Sequence, residues 1–213
     1  GVFSISNSAD SMMDEFDPPM TMTMTIRKLS AAERFQLTLS LWPYMIPLFV
    51  VYATEYALQS GVWTAIGFPV NDESARNSFY VASSWTYQFG VFVSRSSGAL
   101  FTAPMWVVWL MPFLQTMNLI FFSVVASTHF WYDYSLLFVC FYVGLLGGGV
   151  YVHGYTRINQ DLPPHMREFA LSTTSIADDL GVVMADVSGL FIQSCLYLTN
   201  DLDGALVTCP LRR

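Results

Sequence analysis

Four stretches of this chain contain no Asp, Glu, Lys or Arg, and they decide which solvent it can fold in. They run from Arg34 to Glu55, from Arg76 to Arg95, from Arg95 to Asp133 and from Asp133 to Arg157. An α-helix needs about 20 mainly apolar residues to cross the hydrocarbon core of a bilayer. Each stretch holds one such helix, which predicts spans at about 37–60, 78–96, 103–126 and 134–156. A fifth stretch, about 168–199, is longer and contains acidic residues. It reads as one tilted helix or a broken one. The fold class is therefore all-α transmembrane.

Composition agrees. Charged residues make up 12% of the 213, against roughly 25% in a typical soluble domain. Aromatics make up 16%, as suits a chain with Trp and Tyr at both bilayer interfaces. The net charge is −7 and the nine basic residues form no patch, which argues against nucleic acid as a partner. Cys140, Cys195 and Cys209 show no CxxC spacing. Cys140 and Cys195 lie in apolar runs, so neither a disulfide nor a metal framework is expected.

Residues 1–34 are acidic at first and contain Pro18-Pro19 and the run TMTMT. They read as a flexible cytosolic tail or linker. Residues 35–200 form the membrane domain, and 201–213 a C-terminal tail. Segment 61–70 is apolar but too short to span, so it reads as re-entrant or interfacial. Arg27, Lys28, Arg34, Arg95, Arg157 and Arg167 fall on one side of the predicted topology. Arg76, Arg212 and Arg213 fall on the other. This bias puts the N-terminal side in the cytosol and the C-terminus across the membrane.

Ionisable groups within spans cost about 2.5–3.5 kcal/mol each on insertion scales, and they persist when paired or when they line a watery path. Glu55 reads as a protonatable group facing a cavity or as a snorkelling residue. Arg95 reads as an interfacial anchor, or as a partner for Glu55 or for an anionic substrate group. Asp179 and Asp186 share a helix face, and Asp178 points about 100° away from Asp179. These three acids face a cavity, or one of them caps a helix break before Gly181. His153 reads as a packed or interfacial residue. Gly144 and Gly148 form a GxxxG that lets helix backbones approach closely. No P-loop, HExxH, GxGxxG or nucleophile motif is present, so an enzyme reading has no residues to rest on and no cofactor or metal is implied.

Four blocks in order carry a family resemblance: VYATEYALQSGV at 51–62, YQFGVFVSRSS at 87–97, LLGGGVYVHGYTRI at 145–158 and REFALSTTSIADDLGV at 167–182. Together they resemble the battenin family, also called the Batten disease or ceroid-lipofuscinosis neuronal protein 3 family, over about residues 40–192. The resemblance implies a major-facilitator-like bundle of about eleven spans, of which this chain supplies five as the C-terminal half. The missing N-terminal half would then be its partner within the bilayer. It also implies residence in lysosomal, vacuolar or endosomal membranes. The implied role is transport of a small molecule, linked to lysosomal pH, basic amino-acid balance and glycerophosphodiester clearance.

By the resemblance, Glu55, Arg95, Gly147, Gly148, Glu168 and Asp178 occupy matching positions. Glu55, Arg95, Asp178 and Glu168 then serve substrate or proton coupling, and Asp179 and Asp186 are additional cavity acids outside the pattern. The residues His165-Met166-Arg167-Glu168 depart from the family block, where the histidine adjoins the arginine. The alternative function is a non-transporting scaffold for trafficking or pH-regulating complexes.

Overall fold

In the computed structural model, residues 30–210 are described, and most of the tail expected at 1–34 lies outside them. Six α-helices form the bundle: α1 (Ala31–Ser40), α2 (Trp42–Ala57), α3 (Glu73–Ser97), α4 (Met105–Thr128), α5 (Leu136–Asp161) and α6 (Pro164–Thr199). Among the described residues there is no strand. The chain is thus an all-α membrane bundle.

The first helix begins at Ala31, inside the segment read as a tail. A capping box explains the start: the Ser30 hydroxyl accepts from the Glu33 N–H, and the Glu33 carboxylate accepts from the Ser30 N–H. The axis bends by 59° between α1 and the helical run Trp42–Ala65. Pro43 follows the break, where its missing N–H and its ring bar a continuous helix. Beyond α2 the chain continues as a π turn (Leu58–Val62) and a 3-10 turn (Trp63–Ala65). The first half of segment 61–70 therefore continues the helical run that begins at Trp42. The crossing to α3 follows it.

Among the described residues, three helices are each long and apolar enough to cross a membrane: α4, α5 and α6. Helix α1 with the run Trp42–Ala65 makes a fourth if the bent pair is one span. This is fewer than the five spans predicted. At 25 residues, α3 is long enough, but Ser, Thr, Tyr and Gln interrupt its apolar face. It lies along α5, where small and polar groups pack against helix backbone. Helix α6 is continuous over 36 residues, so no break before Gly181 exists and none of its acids caps one.

Two helix pairs define the bundle, α3 with α5 and α2 with α6, and α4 joins them. Backbone contact between α3 and α5 depends on Gly144 and Gly148. A Cβ on Gly144 would meet the Tyr87 carbonyl, and one on Gly148 would meet the Ser94 hydroxyl. The core has three layers. Trp63, Phe79, Phe122 and Leu136 fill the end near the α2–α3 and α4–α5 loops. Leu48, Val51, Val108 and Val150 fill the middle. Leu37, Leu41, Ile158 and Ala170 fill the opposite end. Trp85, Phe89 and Phe92 of α3, with Trp106 and Phe113 of α4, remain exposed. In water such a surface would be a liability; against lipid it is the normal outer face.

One expectation fails outright. Cys195 and Cys209 form a disulfide with a Cα–Cα distance of 4.7 Å. Left-handed conformations at Asp201 and Gly204 turn the chain back after α6 and return Cys209 to the helix end. Local spacing rules do not detect a pairing made by such a reversal. Cys140 is free and buried.

Candidate functional site

Glu55 sits near the end of α2, facing α3, α4 and α5, and is 2% exposed. Taking a carboxyl out of water is costly unless hydrogen bonds replace the lost hydration. Tyr87 of α3 donates to Oε1 at 3.1 Å, and Gln115 of α4 donates through Nε2 to Oε2 at 3.3 Å. Gln115 is itself oriented by Asn118, whose Nδ2 donates to its Oε1 at 3.2 Å. Gly147 of α5 completes the niche, because a Cβ there would strike Glu55 Oε2. Glu55 thus lies in the packed interior of the bundle.

Arg95 and Asp178 belong to a second arrangement, built on two tyrosine pairs at i, i+4 spacing. Such spacing places both side chains on one helix face. Tyr52 and Tyr56 of α2 stack with centroids 5.9 Å apart, and Tyr151 and Tyr155 of α5 lie 4.7 Å apart. Arg95 is exposed near the end of α3, with its guanidinium 4.4 Å from the centre of the Tyr151 ring. Stacking on an aromatic face satisfies a weakly hydrated guanidinium while leaving its donors available.

Asp178 is 7% exposed on α6. Its Oδ2 accepts from the Tyr155 hydroxyl at 2.7 Å. Its Oδ1 is buried with no hydrogen-bond partner among the described residues, and the same holds for Thr174 Oγ1. Thr174 is four residues earlier, so the two oxygens lie one turn apart on the same face. Buried polar atoms are nearly always paired, so each exception needs an explanation. The niche has unfilled acceptor capacity for a proton, a water or a polar ligand group.

The structure brings Asp178 and Arg95 together through Tyr151 and Tyr155. It separates Asp179 and Asp186 from them, on an exposed face of α6 with Leu180, Val183 and Val187. Glu168 is exposed in an early turn of the same helix. His153 is buried, accepting at Nδ1 from the Ala103 N–H at 3.3 Å and lying 3.3 Å from the Ser97 hydroxyl. Among the described residues no group of three or more His, Cys, Asp or Glu could hold a metal ion. Sequence reasoning missed Tyr52, Tyr56, Tyr87, Gln115 and Thr174. The paired tyrosine spacing on α2 and α5 was the available signal.

Comparison with known proteins bears on this arrangement. The model of the family described as CLN3 protein matches residues 4–198. Protein btn-1 of Neurospora crassa is 38% identical over 182 residues, covering 84% of this chain and 38% of that protein. Protein BTN1 of Kluyveromyces lactis is 32% identical over 196 residues, covering 90% of this chain and 49% of the relative. Protein BTN1 of Saccharomyces cerevisiae is 34% identical over 165 residues, covering 71% and 40%. The matched region thus spans less than half the length of each of these relatives. No solved structure matches it significantly. With a family match over most of its length and a bundle of apolar helices, this chain belongs to the CLN3 protein family, a family of membrane proteins.

Proposed function

We propose that the chain forms the substrate-facing part of a secondary transporter in an acidic organelle membrane, of lysosomal or vacuolar type. The observation that carries this reading is the unpaired Asp178 Oδ1 beside the unpaired Thr174 Oγ1, deep on α6. A carboxyl with one oxygen held by Tyr155 and the other unmet is suited to gaining and losing a proton as substrate passes. Arg95, stacked on Tyr151, binds an anionic group such as the phosphate of a glycerophosphodiester. Glu55, bonded by Tyr87 and Gln115, holds a second exchangeable proton inside the bundle.

The exposed face of α6 with Asp179 and Asp186 packs against the remaining length found in the relatives and not against lipid. Lipid contact would leave two carboxylates without partners. The arginine bias and the Cys195–Cys209 disulfide support a cytosolic N-terminal side and a C-terminus in an oxidising lumen.

The test is glycerophosphodiester export from acidified vesicles carrying the protein. At normal abundance, Asp178→Asn should abolish export and Arg95→Ala should sharply weaken apparent substrate affinity. Unchanged export from both would refute the proposal. Loss of abundance without loss of export per molecule would favour a scaffold.

A further inference from the structure

The connection between α3 and α4, residues 98–104, is held against α5 by side chains at i, i+4 and i+7, a spacing that shares one helix face. His153 Nδ1 accepts from the Ala103 N–H at 3.3 Å, and Arg157 Nε donates to the Ala103 carbonyl at 3.0 Å. Gln160 Nε2 donates to the Thr102 hydroxyl at 3.1 Å. Phe101 stacks on the His153 ring with centroids 5.1 Å apart, so the connection itself covers the histidine. Ala103 is buried, but Leu100 is 85% exposed and Phe101 is also exposed. Burial does not hold the tip of this segment; the polar contacts hold its base.

One protonation state of His153 fits this arrangement. An amide N–H donates and never accepts, so Nδ1 carries no proton and the ring proton sits on Nε2. From there it donates to the Ser97 hydroxyl at 3.3 Å, which donates on to the Ser94 carbonyl at 2.6 Å. A second proton would make Nδ1 a donor facing a donor. It would also add a positive charge next to Arg157, since both side chains reach Ala103.

The other charges around the ring do not favour a cation. Arg95, at the same end of α3, is also basic. Neither residues 98–104 nor α4 carries a charged residue. The acids bonded along this part of the bundle are engaged elsewhere: Asp161 accepts from Tyr44, and Asp178 from Tyr155 on the opposite face of α5.

We infer that His153 is a pH-operated latch on the α3–α4 connection: neutral, it holds residues 101–104 against α5, and protonated, it releases them. The bond to Ala103 exists in the neutral form alone, so it is present at high pH and lost as pH falls. This end of the bundle carries Arg95 and Arg157, and the arginine bias assigns it to the cytosol, so the latch answers to acid on that side. The inference does not rest on the transport reading.

The experiment is hydrogen exchange with mass spectrometry on the whole protein in lipid nanodiscs at about pH 8 and about pH 5, corrected for intrinsic exchange rates. Protection of residues 99–103 should fall by about tenfold or more at the lower pH, while α5 from 140 to 150 stays unchanged. His153→Gln supplies an acceptor that does not titrate, and its protection should be the same at both pH values. In parallel, solid-state NMR of labelled histidine follows the His153 ring, which should gain its proton over the same range in which protection is lost. Protection that stays unchanged between the two pH values would overturn the inference, as would an equal fall in His153→Gln. Where His153→Gln does not fold, the ring decides: a ring that stays neutral throughout, or one that titrates with protection intact, would overturn it as well.

Discussion

Tyr155 of α5 donates a hydrogen bond to Asp178 of α6 at 2.7 Å. It is the hydrogen bond given to this buried carboxyl, and it crosses between two helices that are otherwise lightly packed together. Tyr155→Phe removes the donor and leaves the whole carboxyl unmet. Stability should fall by about 1–3 kcal/mol, the usual cost of stranding a buried polar group. Thermal unfolding in detergent measures it. Combining Tyr155→Phe with Asp178→Asn should cost less than the sum of the two single changes, because they act on one interaction.

Gly147 and Glu55 give a second coupled pair. A methyl group at Gly147 would collide with Glu55 Oε2. Gly147→Ala should destabilise the protein by about 1–3 kcal/mol, as overpacked interiors do. Adding Glu55→Ala should recover part of that loss by opening space. A double-mutant cycle on melting temperature checks the sign.

Two tryptophans separate core from lipid face. Trp63 is fully buried against Tyr87 and Phe122, whereas Trp85 is 75% exposed. Trp63→Ala should cost about 3–5 kcal/mol and sharply reduce abundance. Trp85→Ala should stay within about 0.5 kcal/mol, as substitutions on an outer face usually do. Membrane-fraction abundance measured by immunoblot distinguishes the two.

Arg95 tests what the site asks of a cation. Its contact is to the face of Tyr151, and a planar guanidinium stacks there better than an ammonium. Arg95→Lys should therefore weaken apparent substrate affinity, and Arg95→Ala should weaken it further. The concentration dependence of export measures both.

The charge-free stretches made the helical bundle legible, because a bilayer accepts few other structures. Their limits were legible only where chemistry marks them. Ser30 and Glu33 signal the start of α1, but they sit among polar residues that also suit a tail. Helix α3 was legible as a helix from its charge-free stretch. Its apolarity falls short of that of α4, α5 and α6, because Ser, Thr, Tyr and Gln are interspersed along it.

At the site, Glu55, Arg95 and Asp178 stood out because charge is costly in a bilayer. Their partners did not, because Tyr87, Gln115 and Thr174 are ordinary polar residues until the fold brings them beside a carboxyl or leaves them unpaired. The Cys195–Cys209 bond was hidden for a related reason, since it depends on left-handed turns at Asp201 and Gly204 after the last helix.

The central claim is that Asp178 exchanges a proton or a polar ligand through its unpaired oxygen during transport. The most direct measurement is glycerophosphodiester export from acidified vesicles by Asp178→Asn, normalised to folded protein, at several lumenal pH values. The account predicts that export is lost and its dependence on lumenal pH disappears, while abundance and melting temperature stay near those of the unsubstituted protein. Export that keeps its rate and pH dependence in Asp178→Asn would contradict it.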